Sequence, residues 1–208
     1  DELIAEKNYT ANVVRLTVMW SVGSFSSWLL IYLNKYMPGT IYLNYYFDGF
    51  SGLIGYPIGN ALYSRYHIKV SFIVAYVTIL LGALFIFLFE SEMVSPYFID
   101  NLGCPPSGYP AGSKKDQDYH LSKIVPIFTL ITKIGLTILF SLTWQCSFNN
   151  GRIFPNLKRA TATGICNFIA RILTAFAPLV AELDKPLPIY ILLCFNTIGI
   201  LVSFTFPS

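Results

Sequence analysis

Six separate stretches of this chain each offer about 20 mainly apolar residues, the length an α-helix needs to cross the hydrocarbon core of a bilayer. No other feature limits the fold as strongly. A backbone inside a bilayer has no water to bond, so each stretch must satisfy its own amides as a helix. The stretches run 13–33, 41–63, 70–89, 124–148, 160–181 and 187–206. The second is the weakest, because it holds Asp48 and several glycines. Composition points the same way: of 208 residues, 54% are hydrophobic and only 12% charged, and the mean hydropathy is +0.57. A soluble domain carries about 25% charged residues, and a disordered chain needs low hydrophobicity and high charge. The expected fold is an all-α, six-transmembrane-helix bundle forming one domain over residues 1–208.

The connections are short except one. Asn34 to Thr40 contains the turn dipeptide Pro38-Gly39, Ser64 to Lys69 is a tight basic link, and Glu182 to Pro186 is another short turn. Residues 90–123 are rich in proline and glycine and end in a charged patch from Lys114 to Asp118, which predicts a solvated polar loop. Six crossings put both termini on one side. That side carries Lys7, Arg15, Arg65, Lys69, Arg152, Lys158 and Arg159, against Lys35, Lys114, Lys115, Lys123 and Lys185 opposite. The excess favours the termini side as cytoplasmic or matrix. The first residue is Asp1, and no basic segment, short apolar core and cleavage site precede the first apolar run. The start reads as an internal point of a longer chain or a processed terminus.

Charges at membrane depth stand out, because each costs roughly 2.5–3.5 kcal/mol on insertion. Arg171 lies in the middle of residues 160–181, too deep to reach either interface. It reads as a cation in a substrate pathway, or as half of a structural ion pair. Lys133 either snorkels to the outer interface or faces a cavity. Asp48, beside Asn44, Tyr45 and Tyr46, reads as interfacial, with cation binding the other option.

The second stretch repeats Gly49, Gly52, Gly55 and Gly59 and adds Pro57, which predicts a bent, closely packed helix. Trp20, Trp28, Trp144 and the tyrosines from Tyr32 to Tyr46 fit interfacial belts or cavity walls. His67 and His120 fall in links on opposite sides, and the cysteines Cys104, Cys146, Cys166 and Cys194 form no C-x-x-C pair. No nucleophile elbow, phosphate loop, zinc or dinucleotide fingerprint occurs, so neither an enzyme, a metal site nor a cofactor is expected. The scattered net charge of +3 argues against nucleic acid as a partner.

One segment carries a family resemblance. Gly151-Arg152-Ile153-Phe154-Pro155-Asn156-Leu157-Lys158-Arg159 runs into Thr163-Gly164, then Arg171 and Ala177-Pro178. This resembles the organic cation/anion transporter family (solute carrier family 22) of the major facilitator superfamily. That family has a pattern like [A/G]-E-L-[F/Y]-P-T-x-x-R at the end of its tenth helix. Upstream, Lys133-Ile134-Gly135-Leu136-Thr137 and Phe140-Ser141 look like its K-F-G-I-T-x-x-F-S stretch. Ser64-Arg65-Tyr66-His67-Ile68-Lys69 sits where the superfamily has G-x-x-x-D-R-x-G-R-R and keeps the basic residues without the acid.

The resemblance implies that the six stretches are helices seven to twelve, one half of the superfamily fold, built as two inverted three-helix repeats. It implies transmembrane transport of small organic ions, as the carboxy-terminal bundle of a secondary transporter. A charge at the position of Arg171 faces the family's central cavity, and an arginine there points to anions or zwitterions over cations. Lys133, Trp20, Trp144 and Asn167 are assigned with Arg171 to substrate binding, and Arg65, Lys69, Arg152, Pro155 and Arg159 to gating. The implied partners are a small organic ion, the lipid bilayer and a second six-helix bundle, either a missing amino-terminal half or another chain. Two departures stand out: Arg152 replaces the motif's glutamate, and Asn156 its threonine. They motivate an alternative, a non-transporting half-carrier serving as an accessory subunit of a larger membrane complex. A multi-pass location is expected, in the plasma membrane by preference or the mitochondrial inner membrane.

Overall fold

The computed structural model describes residues 9–36, 41–90, 114–148, 158–184 and 187–206. These are helical throughout, apart from short turns. The helices are α1 (Tyr9–Leu33), α2 (Ile41–Arg65), α3 (Ile68–Glu90), α4 (Lys114–Phe148), α5 (Arg159–Thr174), α6 (Ala177–Ala181) and α7 (Leu187–Phe204). Five segments are long and apolar enough to cross a membrane: Tyr9–Leu33, Ile68–Leu88, Val125–Ser147, Arg159–Ala181, which joins α5 to α6, and Leu187–Phe204. The chain is thus built as a multi-pass membrane protein. The expected sixth crossing, α2, has the length, at 25 residues, but is not among these five. Its asparagines, tyrosines, glycines and Asp48 dilute the apolar content.

Two local details depart from the sequence reading. The charged end of the expected loop is helical, because α4 begins at Lys114. The fifth crossing is interrupted at Ala175–Phe176. Pro178 follows at the start of α6, and with no N–H it cannot bond the Thr174 carbonyl.

Contacts fix the direction of each helix. The Lys158 ammonium sits 5.6 Å from the Tyr9 ring and Cys166 meets Thr17, so α1 and α5 run parallel. Trp20 meets Trp144, and Gly23 meets Leu139, so α1 and α4 are antiparallel. Asp48 meets Lys133, Gly55 meets Thr137 and Gly59 meets Ser141, so α2 runs with α4. Phe85 stacks on Phe128, while Ile79 meets Gly135, so α3 opposes α4. Phe72 meets Phe206, and Phe87 meets Tyr190, so α3 also opposes α7. Successive columns therefore alternate in direction.

The packing forms two layers. One is a row in the order α2, α4, α1, α5; the other is α3 and α7, which pack on each other and behind α4 and α1. Exchanging α1–α3 with α4–α7 maps the main packings onto one another: α1 on α5 becomes α4 on α2, and α1 on α7 becomes α4 on α3. Within the stack, Asn196 donates to Ser26 Oγ at 3.0 Å, and the Tyr76 hydroxyl donates to the Met19 carbonyl at 3.3 Å. Such interhelical bonds are worth on average about 0.6 kcal/mol each in a membrane. Tight backbone approach adds more. A Cβ on Gly59 would come within 2.6 Å of the Ser141 Cβ, so α2 can lie against α4 only because the glycine has none.

Candidate functional site

A helix turns about 100° per residue, so residues three, four and seven apart share a face. On α5 the face against α1 is Ala162, Cys166 and Ala170, all buried. Much of the rest of the helix is exposed, and its two flanks differ in chemistry. One carries Gly164, Asn167, Arg171 and Thr174; the other carries Ile165, Phe168, Ile169, Ile172 and Phe176. An arginine and an amide on an exposed flank suit water or a partner, and five large apolar side chains suit lipid.

The polar flank turns toward the α2–α4–α1–α5 row. On α1, the arc between Gly23, which meets α4, and Thr17, which meets α5, holds Trp20, Ser27 and Ile31. Since α1 and α5 are parallel, the matching arc on α5 lies 100–140° beyond Cys166, at Asn167 and Arg171. The same construction puts Lys133, Phe140 and Trp144 on this side of α4, and Tyr45, Tyr56 and Tyr63 on this side of α2. The row thus presents these residues on one side, as one wall.

Depth follows from the same pairings. Stepping from Thr17–Cys166 and Trp20–Trp144 places Arg171 level with Ser141 of α4 and Gly59 of α2. Trp20 is buried at 8% exposure, Trp144 lies over it at a centroid distance of 6.4 Å, and Trp144 is itself 58% exposed to the wall. These two rings fall between the levels of Asn167 and Arg171. No carboxylate sits at this depth among the described residues, and none pairs with Arg171 there. A guanidinium, an amide and an indole face lie at mid-depth on one side of the row, a set that can receive an anion bearing an apolar or aromatic body.

Lys133 belongs to a different feature. It is eight residues from Ser141, about 12 Å toward the other end of the wall at 1.5 Å per residue. Its ammonium lies 2.6 Å from the Asp48 carboxylate, with side-chain exposures of 4% and 31%. From sequence, Lys133 reads as snorkelling or facing a cavity and Asp48 as interfacial or binding a cation; the structure adds that the two charges bridge α4 and α2. Sequence reasoning weighed each residue alone, although both had been flagged as charges in weak surroundings. It also missed Tyr56 and Tyr63, whose facing is set by which side of α2 packs on α4.

The basic residues assigned to gating separate. Arg159 opens α5 at the termini end, beside Lys158. Lys69 reaches over the Phe204 ring of α7 at 5.8 Å, and Arg65 lies on the face of α2 away from the wall. Arg152 and Pro155 lie outside the described residues. No family model, curated protein or solved structure matches this chain.

Proposed function

We propose that this chain is the carboxy-terminal bundle of a secondary transporter of small organic ions, anions or zwitterions in preference to cations. A second six-helix bundle would face the α2–α4–α1–α5 wall and close the cavity. The observation that carries this reading is Arg171: exposed at mid-depth, one turn from Asn167, level with Trp20 and Trp144, and on the polar flank of a helix whose other flank is dominated by large apolar side chains. In a low-dielectric cavity an uncompensated guanidinium attracts an anion strongly. The exchange pattern of the packing supports the same reading, since transporters of this build carry inverted three-helix repeats with the substrate between bundles. The family resemblance through Lys133–Thr137 and Phe154–Pro178 supports it from sequence. Arg159, with Arg152 and Pro155 in the preceding link, would serve the inner gate. The plasma membrane is the favoured location and the mitochondrial inner membrane the alternative.

The test is uptake by the complete assembly in vesicles, with a panel of small organic anions, zwitterions and cations. Uptake of an anion or zwitterion that falls at least about tenfold in Arg171→Ala, or ~1.4 kcal/mol of binding, and recovers partly in Arg171→Lys supports the reading. No uptake of any compound, with the assembly intact, would leave the half-carrier as an accessory subunit.

A further inference from the structure

A second surface lies behind the wall. Although α2 and α3 are joined by a short turn, each packs chiefly on α4 and they touch little. A groove therefore opens between them, floored by α4. Near the turn it is closed by the Ser71 hydroxyl donating to the Leu62 carbonyl at 3.2 Å. On α2 the groove face is Ile54, Ile58, Ala61 and Arg65, spaced by four, three and four residues. On α3 it is Val74, Thr78, Leu81 and Phe85, spaced by four, three and four, and Phe85 stacks on Phe128 of the floor at 4.8 Å. Ile127 of α4 is exposed beyond it.

The groove is apolar along its length and cationic at one end. Arg65 stands directly over Ile58, two turns further along the same helix face, and is exposed. His67 follows it in the turn, whereas Lys69 turns away to the Phe204 ring of α7. This end of the molecule also holds Arg15, Lys158 and Arg159, whereas the described carboxylates Asp48, Glu182 and Asp184 all lie toward the other end. No described acid is placed to neutralise Arg65. A cation at the mouth of a membrane-depth apolar groove complements one ligand above all: a lipid with a charged phosphate and an acyl chain.

We infer that the α2–α3 groove is a binding site for an anionic phospholipid, with the phosphate held by Arg65 and an acyl chain lying along Ile58 and Leu81. The site is independent of the transport reading, because it faces away from the wall. It also gives Arg65 a role that needs no second bundle.

The experiment is native mass spectrometry of the full chain released from vesicles of equal phosphatidylglycerol and phosphatidylcholine, with Arg65→Gln, Lys69→Gln and Lys158→Gln alongside. The expected result is preferential retention of phosphatidylglycerol, reduced about fivefold in Arg65→Gln and unchanged in Lys69→Gln and Lys158→Gln. Thermal unfolding of each variant shows that the loss is not misfolding. Equal retention of the two lipids, or undiminished phosphatidylglycerol in Arg65→Gln, would overturn the site. So would a polypeptide, rather than lipid, crosslinked to Ile58→Cys in the native membrane. An Arg65→Gln variant that stops uptake while keeping its phosphatidylglycerol would make Arg65 a gate residue instead.

Discussion

Helices α2 and α5 occupy equivalent ends of the same four-helix row, yet they hold their charges in opposite ways. On α2, Asp48 is joined to Lys133 of α4, and Gly55 and Gly59 let the two backbones close on each other. On α5, Ala162, Cys166 and Ala170 give α1 a smooth contact, Gly164 has open space around it, and Arg171 faces outward. Both helices place ionisable groups where a bilayer penalises them. The Asp48 charge on α2 is matched inside the bundle and holds two helices together. The charge on α5 is left for something outside it. A membrane-buried charge is therefore not a functional site by itself; what decides is whether the bundle already supplies its partner.

Several substitutions can break or sharpen that contrast. The largest effect is expected at the ion pair. Lys133→Ala leaves Asp48 uncompensated and should cost about 3 kcal/mol of stability, read as a lowered midpoint in thermal unfolding in detergent. The double variant Lys133→Met, Asp48→Leu should regain most of it. If the double variant is as unstable as the single, the pair is not the source of the loss. Next is Gly59→Val, whose added carbons meet Ser141 and should cost about 1–3 kcal/mol. Gly49→Ala, on the same helix but with no neighbour within 4 Å, should cost nothing. Arg171→Ala should leave the unfolding midpoint unchanged while reducing anion uptake at least about tenfold, ~1.4 kcal/mol. A stability loss as large as that of Lys133→Ala would place Arg171 in the structural class and erase the distinction. The smallest effect is Ser26→Ala, which removes one bond to Asn196 and should cost about 0.6 kcal/mol.

Much of the fold was legible in the apolar runs, because a bilayer leaves the backbone no choice but helix. All six runs lie in helices, counting α5 and α6 together. What the runs could not supply is lateral order. Gly55 and Gly59 announced a close neighbour, but nothing local to them says that it is α4. Asp48 and Lys133 are 85 residues apart, and their pairing exists only once α2 lies along α4. The start of α4 at Lys114 was hidden because its first turns are polar, and polarity marks solvent rather than loop. Arg171 and Asn167 were legible as a pair, being one turn apart on one helix. Their common level with Trp20 and Trp144 was not, since it depends on the Thr17–Cys166 contact.

The central claim is that the polar flank of α5 borders water and its apolar flank borders lipid. Its most direct test is labelling by a membrane-impermeant thiol reagent in native membranes. Single cysteines would be placed at Asn167, Arg171, Phe168 and Ile172 after Cys104, Cys146, Cys166 and Cys194 have been replaced. The account predicts rapid labelling at Asn167→Cys and Arg171→Cys and little at Phe168→Cys and Ile172→Cys. Equal labelling at all four positions, or labelling of the apolar pair alone, would contradict it.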